Sequence, residues 1–314
     1  MRRFAGILPP LVTPLTESGE LDEAGLRRCL EYVLAGGVHG VVMLGSSGEA
    51  ALLLPRLRRR TLEVALEVVN GRVPVIVGTG EPSTTLAAES TRQARQDGAA
   101  AAIVVPPYYF PLDQEAVERH YRVVHEVGGL PLLAYHIPAM TKVRIEPDTL
   151  RTLAEAGVLT GVKDSAGDFG YFQRAVDETR HLPTFVALEG SDQLLYAGMA
   201  YGGDGAISVL SQVAPAVVVA LYEAGRTGDW PRAKALHQHL QEIRVAIGPG
   251  WIPAIKGALH ALGLCGPSVA IPNQPWDPEH LAAQRRRLDA AREQGIFDPA
   301  TVAVAPADRA GAGG

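Results

Sequence analysis

The chain has 314 residues, 47% hydrophobic and 20% charged, with a formal net charge of −5. That length can bury a large core and suits one closed α/β domain. The acidic balance excludes the basic face that nucleic acid or an anionic membrane surface requires. Arg56-Leu-Arg-Arg-Arg60 is a local basic cluster and reads as the solvated face of a helix. The only two cysteines, Cys29 and Cys265, make neither a disulfide framework nor a zinc cluster. Arg2 and Arg3 precede an apolar stretch, but Pro9, Pro10 and Pro14 interrupt it before it becomes a signal-peptide core. No run approaches the roughly 18 apolar residues of a membrane span. The expected setting is soluble, reducing and cytoplasmic.

Strand-like and helix-like runs alternate along the chain. Gly6 to Pro14 reads as a strand, and Leu21 to Ala35 as a helix with Leu26, Cys29, Leu30 and Val33 on one apolar side. His39 to Gly45 is the second strand, with a helix from Pro55 to Asn70; Pro55 fits a first helical turn. Pro74 to Gly80 is the third, followed by a helix from Ser83 to Asp97 that Ser83 can cap and Gly98 ends. Ala101 to Pro106 is the fourth, and Asp113 caps the helix Gln114 to Val127. Leu130 to Ile137 is the fifth, with a helix from Pro147 to Ala156. Val158 to Ser165 is the sixth, with a helix from Asp168 to Arg180. Thr184 to Gly190 and Gly205 to Leu210 are the seventh and eighth, with helices Ser191 to Tyr201 and Ala214 to Ala224.

Continuous apolar strands alternating with helices imply a parallel sheet covered on both faces. Eight such units predict a (β/α)₈ TIM barrel over 1–224, a doubly wound open sheet being the alternative. Three more helices, Trp230 to Ile247, Pro253 to Leu262 and Pro278 to Gln294, predict a C-terminal helical extension over 225–296. The Ala/Gly/Pro-rich tail, 297–314, is expected to be disordered.

In such a barrel the reactive groups stand at the carboxyl ends of strands. Lysine is seldom buried, so Lys163 near the end of Val158-Leu-Thr-Gly-Val-Lys-Asp-Ser165 is conspicuous. Burial there favours an uncharged amine, the nucleophile of Schiff-base chemistry. The blander reading pairs Lys163 with Asp164. Strand two ends in Gly45-Ser-Ser-Gly-Glu49, whose hydroxyls and backbone N–H groups suit a small carboxylate. Strand four ends in Tyr108-Tyr109 and strand five in Tyr135-His-Ile-Pro138; a phenol there can relay protons. His136 has no partner at metal-ligand spacing and reads as structural. Strand six adds Ser165, strand seven Glu189, Ser191 and Asp192, and strand eight Ile207 and Ser208. No P-loop, dinucleotide fingerprint, zinc motif or Gly-x-Ser-x-Gly is present. A lysine, serines and tyrosines without a metal set point to imine formation with a keto acid, with no cofactor beyond the lysine.

Thr13-Pro14, Gly45 to Glu49, Pro107-Tyr-Tyr109, Tyr135-x-x-Pro138, Gly161-Val-Lys-Asp-Ser-Ala-Gly-Asp168 and Gly205-Ala-Ile-Ser208, in that order, resemble the pyruvate-dependent class I aldolases of the dihydrodipicolinate synthase and N-acetylneuraminate lyase superfamily. The resemblance implies a homotetramer built as a dimer of dimers. It assigns the Schiff base to Lys163, proton shuttling to Tyr135, and the keto-acid carboxylate to Ser46 and Ser47. Tyr109 resembles the tyrosine that enters a neighbouring subunit's site and joins a relay with Tyr135 and Ser46. Ile207 matches a backbone position against pyruvate, and Ser165 and Asp192 are expected to bind substrate hydroxyls. Dihydrodipicolinate synthases carry an arginine two residues after the proline of Tyr-x-x-Pro; here the substrate-side residue is Met140. A thioether cannot replace the bidentate fork, and each charge-assisted bond lost is worth about 1.5–3 kcal/mol. Lys142 offers only a flexible point charge. Sialic acid lyases carry an acidic residue where Gln193 stands. Tyr135-His-Ile-Pro-Ala-Met-Thr-Lys142 is closer to aldolases of 2-keto-3-deoxy sugar acids. The expected reaction joins or cleaves pyruvate and an aldehyde. A semialdehyde-condensing synthase, a dehydratase or hydratase-aldolase, and a non-catalytic keto-acid-binding barrel are the rival readings.

Overall fold

Every strand is short, and all but one are buried along their whole length, because both faces of the sheet are covered. The computed structural model describes residues 2–296. The strands are β1 (Gly6–Ile7), β2 (Val41–Met43), β3 (Val75–Gly78), β4 (Ala101–Val104), β5 (Leu132–His136), β6 (Gly161–Asp164), β7 (Val186–Glu189) and β8 (Gly205–Ala206). Between them run α1 (Glu23–Ala35), α2 (Pro55–Val69), α3 (Thr84–Asp97), α4 (Gln114–Gly128), α5 (Pro138–Thr141), α6 (Pro147–Glu155), α7 (Phe169–Thr179) and α8 (Leu195–Tyr201). After β8 come α9 (Pro215–Arg226), α10 (Trp230–Ile247), α11 (Trp251–Ala261) and α12 (Pro278–Glu293).

The strands form one parallel sheet in the order β1-β8-β7-β6-β5-β4-β3-β2. A parallel bridge between Pro10 and Val42 joins its two ends. There the Val42 N–H donates to the Pro9 carbonyl and the Leu11 N–H to the Val42 carbonyl, both at 2.9 Å. The sheet is therefore the predicted (β/α)₈ barrel rather than an open one. Leu8, Val42, Ile76, Ile103, Leu133, Leu188 and Ile207 fill its interior. A larger apolar layer lies between the sheet and the surrounding helices.

Several expected elements change in detail. The first strand ends early because Pro9 and Pro10 have no N–H to donate. The eighth stops at Ala206, and Val209–Gln212 coil into a 3-10 turn. The short helix α5 was not anticipated; Pro138 begins it, and Lys142 ends it in a left-handed conformation (φ 61°). Helix α8 starts at Leu195 rather than Ser191. Asp113 caps α4 by accepting from the Ala116 N–H at 2.8 Å, but Ser83 makes no side-chain capping bond on α3. The Arg56 to Arg60 cluster is neutralised by carboxylates, Arg56 pairing with Glu20, Arg58 with Glu81 and Arg60 with Glu23. Cys29 and Cys265, remote in sequence, are buried free thiols in hydrogen-bond contact. The tail 297–314 lies outside the described residues.

Candidate active site

Tyr135 and Lys163 are direct partners across β5 and β6, as are His136 and Asp164. Successive side chains of a strand point to opposite faces. Tyr135 accordingly joins the barrel interior, and the Lys163 ammonium lies over its ring, 4.1 Å from the centroid. Each of these two residues is only 6% exposed. His136 and Asp164 face the helices. The His136 Nδ1 is 2.8 Å from the Asp164 carboxylate, and its ring stacks on Tyr171 of α7 at 3.8 Å. Sequence spacing offered His136 no acidic partner; strand pairing supplies one. The structural reading of His136 stands, and Asp164 is held by this histidine and the Ala166 N–H rather than by Lys163.

Room for the lysine depends on Gly190. A Cβ there would lie 2.1 Å from the Ser165 Oγ, 2.6 Å from the Asp164 carbonyl and 3.0 Å from the Lys163 Cε. Ser165 is thereby held beside Lys163, and its hydroxyl also reaches the Tyr135 phenol. Burial by itself would raise the Tyr135 pKa. The Lys163 charge and hydrogen bonds with Ser46, Lys163 and Ser165 outweigh it, and the phenol falls below its ordinary value. A buried phenol that yields its proton more readily is suited to proton transfer.

Ser46 donates to the Tyr135 hydroxyl at 3.4 Å, and Ser47 is buried beside it. Their loop is fixed from three sides. A Cβ on Gly78 of β3 would lie 2.1 Å from the Leu44 carbonyl, so only glycine allows that approach. Thr13 donates to the Gly48 carbonyl at 2.7 Å. Glu49, at φ 56°, donates its N–H to the Ser46 carbonyl and buries its carboxylate completely. One carboxylate oxygen meets the Lys256 ammonium of α11 at 2.5 Å; the other accepts from the Ala270 N–H and the Asn273 side chain. Lys256, fully buried, was missed by sequence reasoning. Its signal was a lone charge inside the apolar run of α11.

On the opposite wall, Asp192 accepts from the Ser208 hydroxyl and the Leu210 N–H. Burial pushes its carboxyl up to about 6, with Lys163 among the groups that oppose the shift. Burial likewise pushes Glu189 up to about 8; its carboxylate accepts from the Ser191 N–H. Ile207 is buried in the barrel, its N–H donating to the Glu189 carbonyl. Lys163, Tyr135, Ser46 and Ser165 thus converge, and Ser47, Asp192 and Ile207 surround them. Tyr109 does not join them within one chain. It is 86% exposed, at φ 95°, edge-on to Phe110. Met140, on α5, lines a cavity of about 320 Å³ that Ser46, Tyr135, Trp251 and Ile252 also line. Trp251 is a second residue that sequence reasoning missed.

The model of the dihydrodipicolinate synthetase family matches residues 3–291. The chain belongs to that family. It is 38% identical over 296 residues to the 4-hydroxy-tetrahydrodipicolinate synthase of Phenylobacterium zucineum, covering 94% of this chain and 98% of the relative. It is 41% identical over 261 residues to an uncharacterized DapA-like lyase of Halobacterium salinarum, covering 83% of this chain and 84% of that one. Among solved structures, YagE, a prophage protein of the family from E. coli K12 in complex with pyruvate, superposes with a TM-score of 0.87 at 31% identity, over 92% of this chain and 99% of YagE. Dihydrodipicolinate synthase of Bacteroides thetaiotaomicron gives 0.88 at 30% identity, with the same coverages. Family membership makes the chain a lyase of the pyruvate-dependent aldolase type. Among the described residues no helix is long and apolar enough to cross a membrane.

Proposed function

We propose that this family member reversibly cleaves a 2-keto-3-deoxy acid to pyruvate and an aldehyde through an imine on Lys163. The observation that carries this is the Lys163 Nζ over the Tyr135 ring, with the Ser46 hydroxyl on the same phenol. In the cleavage direction the uncharged amine of Lys163 attacks the C2 carbonyl. The carbinolamine loses water to give a protonated imine, which can accept an electron pair. The carboxylate sits against Ser46 and Ser47. Tyr135, having given its proton to the departing water, takes the C4 hydroxyl proton as the C3–C4 bond breaks; the aldehyde leaves and the bonding pair becomes an enamine. Protonation at C3 and addition of water release pyruvate and restore the amine. Ser165 and Asp192 face the C4 hydroxyl, and Ile207 presents its backbone to the pyruvate end.

No cofactor beyond the lysine is assigned. The working form in this reading is a cytoplasmic homotetramer. The strained, exposed Tyr109 supports it, because a partner's site would give that side chain the cover its own chain does not. The synthase reaction of the curated relatives is the second reading, favoured by their names. Met140, in place of the arginine, weighs against it.

Incubating the protein with pyruvate and borohydride should add one reduced pyruvate to Lys163, read by intact mass and peptide mapping. Lys163→Ala should abolish both adduct and turnover. Near-normal turnover by that variant would sink the assignment.

A further inference from the structure

The cavity beside Tyr135 has a chemical character of its own. Ile103, Val105, Ile137, Met140, Trp251 and Ile252 supply apolar parts of its wall. At about 320 Å³ it sits at the small end of sites for organic ligands. Its polar groups are mostly committed. Both Glu49 oxygens are taken by Lys256, Ala270 and Asn273. The Thr141 hydroxyl donates to the Ile137 and Val143 carbonyls. Ser46 and Tyr135 belong to the reaction centre. The Tyr108 phenol is a single neutral group, with the Arg58–Glu81 pair beyond it.

Among the described residues no lysine or arginine lines the wall, and the nearby cations are turned elsewhere. Lys142 donates to the Ala139 carbonyl at 2.8 Å, and Arg144 pairs with Glu146 and Asp168. A carboxylate entering this cavity would lose water and meet no cation, only the neutral Tyr108 and Asn273 groups, and a polyol would leave most of its hydroxyls unpaired.

A second observation concerns the cavity's wall. Trp251 stands at φ 41°, a left-handed conformation that bulky residues rarely adopt, after Gly248 at 87° and Gly250 at 110°. Strain of this kind is retained at ligand clamps. In the single chain Trp251 and Met140 are 40% and 55% exposed, two large apolar side chains on the wall of a cavity that Ser46 and Tyr135 also line.

We propose that the aldehyde handled at this site carries an apolar substituent, aryl or branched alkyl, seated in the cavity between Met140 and Trp251. The proposal rests on the imine reading above and narrows it from any aldehyde to an apolar one, against the sugar-acid expectation. Burying such a group favours it by roughly 10- to 100-fold over a hydroxyl- or carboxylate-bearing one.

The test starts from the borohydride adduct on Lys163. Pyruvate is then offered with benzaldehyde, isobutyraldehyde, glyceraldehyde or aspartate semialdehyde, and kcat/KM is measured from the condensation product. Benzaldehyde and isobutyraldehyde should exceed the two polar aldehydes at least tenfold. Met140→Arg, at an exposed position, should reverse that order while unfolding at a temperature close to the wild type; Met140→Leu should keep the order. An adduct on Lys163 together with preference for a polar aldehyde, or with no turnover of either apolar one, overturns the proposal and leaves the imine reading standing. An order of preference unmoved by Met140→Arg would mean that something other than the substituent fills the cavity, and also overturns it. Absence of the adduct overturns the imine reading and the proposal together.

Discussion

Lys256→Met tests whether the C-terminal helices hold the loop that carries Ser46 and Ser47. The ion pair with Glu49 is completely buried, and Lys256 also donates to the Ser268 carbonyl at 2.8 Å. Removing one partner of a buried pair leaves an uncompensated charge and costs about 3–5 kcal/mol. Glu49 would keep its bonds from Ala270 and Asn273, which places the expected cost near the lower bound, about 3 kcal/mol. In a chain of 314 residues, with an unfolding entropy of about 2.1 cal/mol/K per residue, that lowers Tm by roughly 4–5 °C. Gln at Glu49 can still accept from Ala270 while carrying no charge. The double variant Glu49→Gln, Lys256→Met should therefore recover most of the loss, because two neutral groups replace an orphaned anion. The Glu49 N–H donates to the Ser46 carbonyl, so the single variant should also raise the pyruvate KM more than it lowers kcat. Thermal unfolding of the two single variants and the double, with steady-state kinetics on each, reads both effects. A Lys256→Met protein within about 1 kcal/mol of wild type, or a double variant worse than the sum of the singles, would refute the reasoning.

Tyr135→Phe should cut kcat by about 10²–10⁴-fold, the usual contribution of a positioned acid–base group, while pyruvate still traps on Lys163; a loss smaller than tenfold would remove Tyr135 from proton transfer. Glu189 gives a pH prediction. Its folded-state value of about 8 lies above the ordinary 4.5, so the folded protein holds this proton more tightly than the unfolded chain. The stability it contributes is complete below pH 4.5 and declines as pH rises to about 8. The whole window is worth about 5 kcal/mol at ~1.4 kcal/mol per unit. Glu189→Gln should flatten that decline, read as urea midpoints at pH 5 and pH 8; the same pH dependence in both proteins would show that Glu189 does not cause it.

Local chemistry determined much of this protein. Eight apolar runs separated by amphipathic ones define a parallel α/β chain, because the period and the caps are written residue by residue. Lys163, Tyr135 and the serine pair were legible because strand ends are where a barrel presents reactive groups, and a lysine inside a buried strand is unusual. Closure was not legible, since the Pro10–Val42 bridge joins elements from opposite ends of the sheet. Nor were the partnerships that act on the catalytic groups from behind. Asp164 meets His136 because β5 and β6 pair in one register, and Glu49 meets Lys256 across more than 200 residues because α11 folds back onto the strand-two loop. The cavity between Met140 and Trp251 belongs to the same class. Its walls come from distant segments, and whether their polar atoms are free or already bonded is a property of the packed molecule. Sequence pointed to a chemistry; packing decided which of those groups have room and partners.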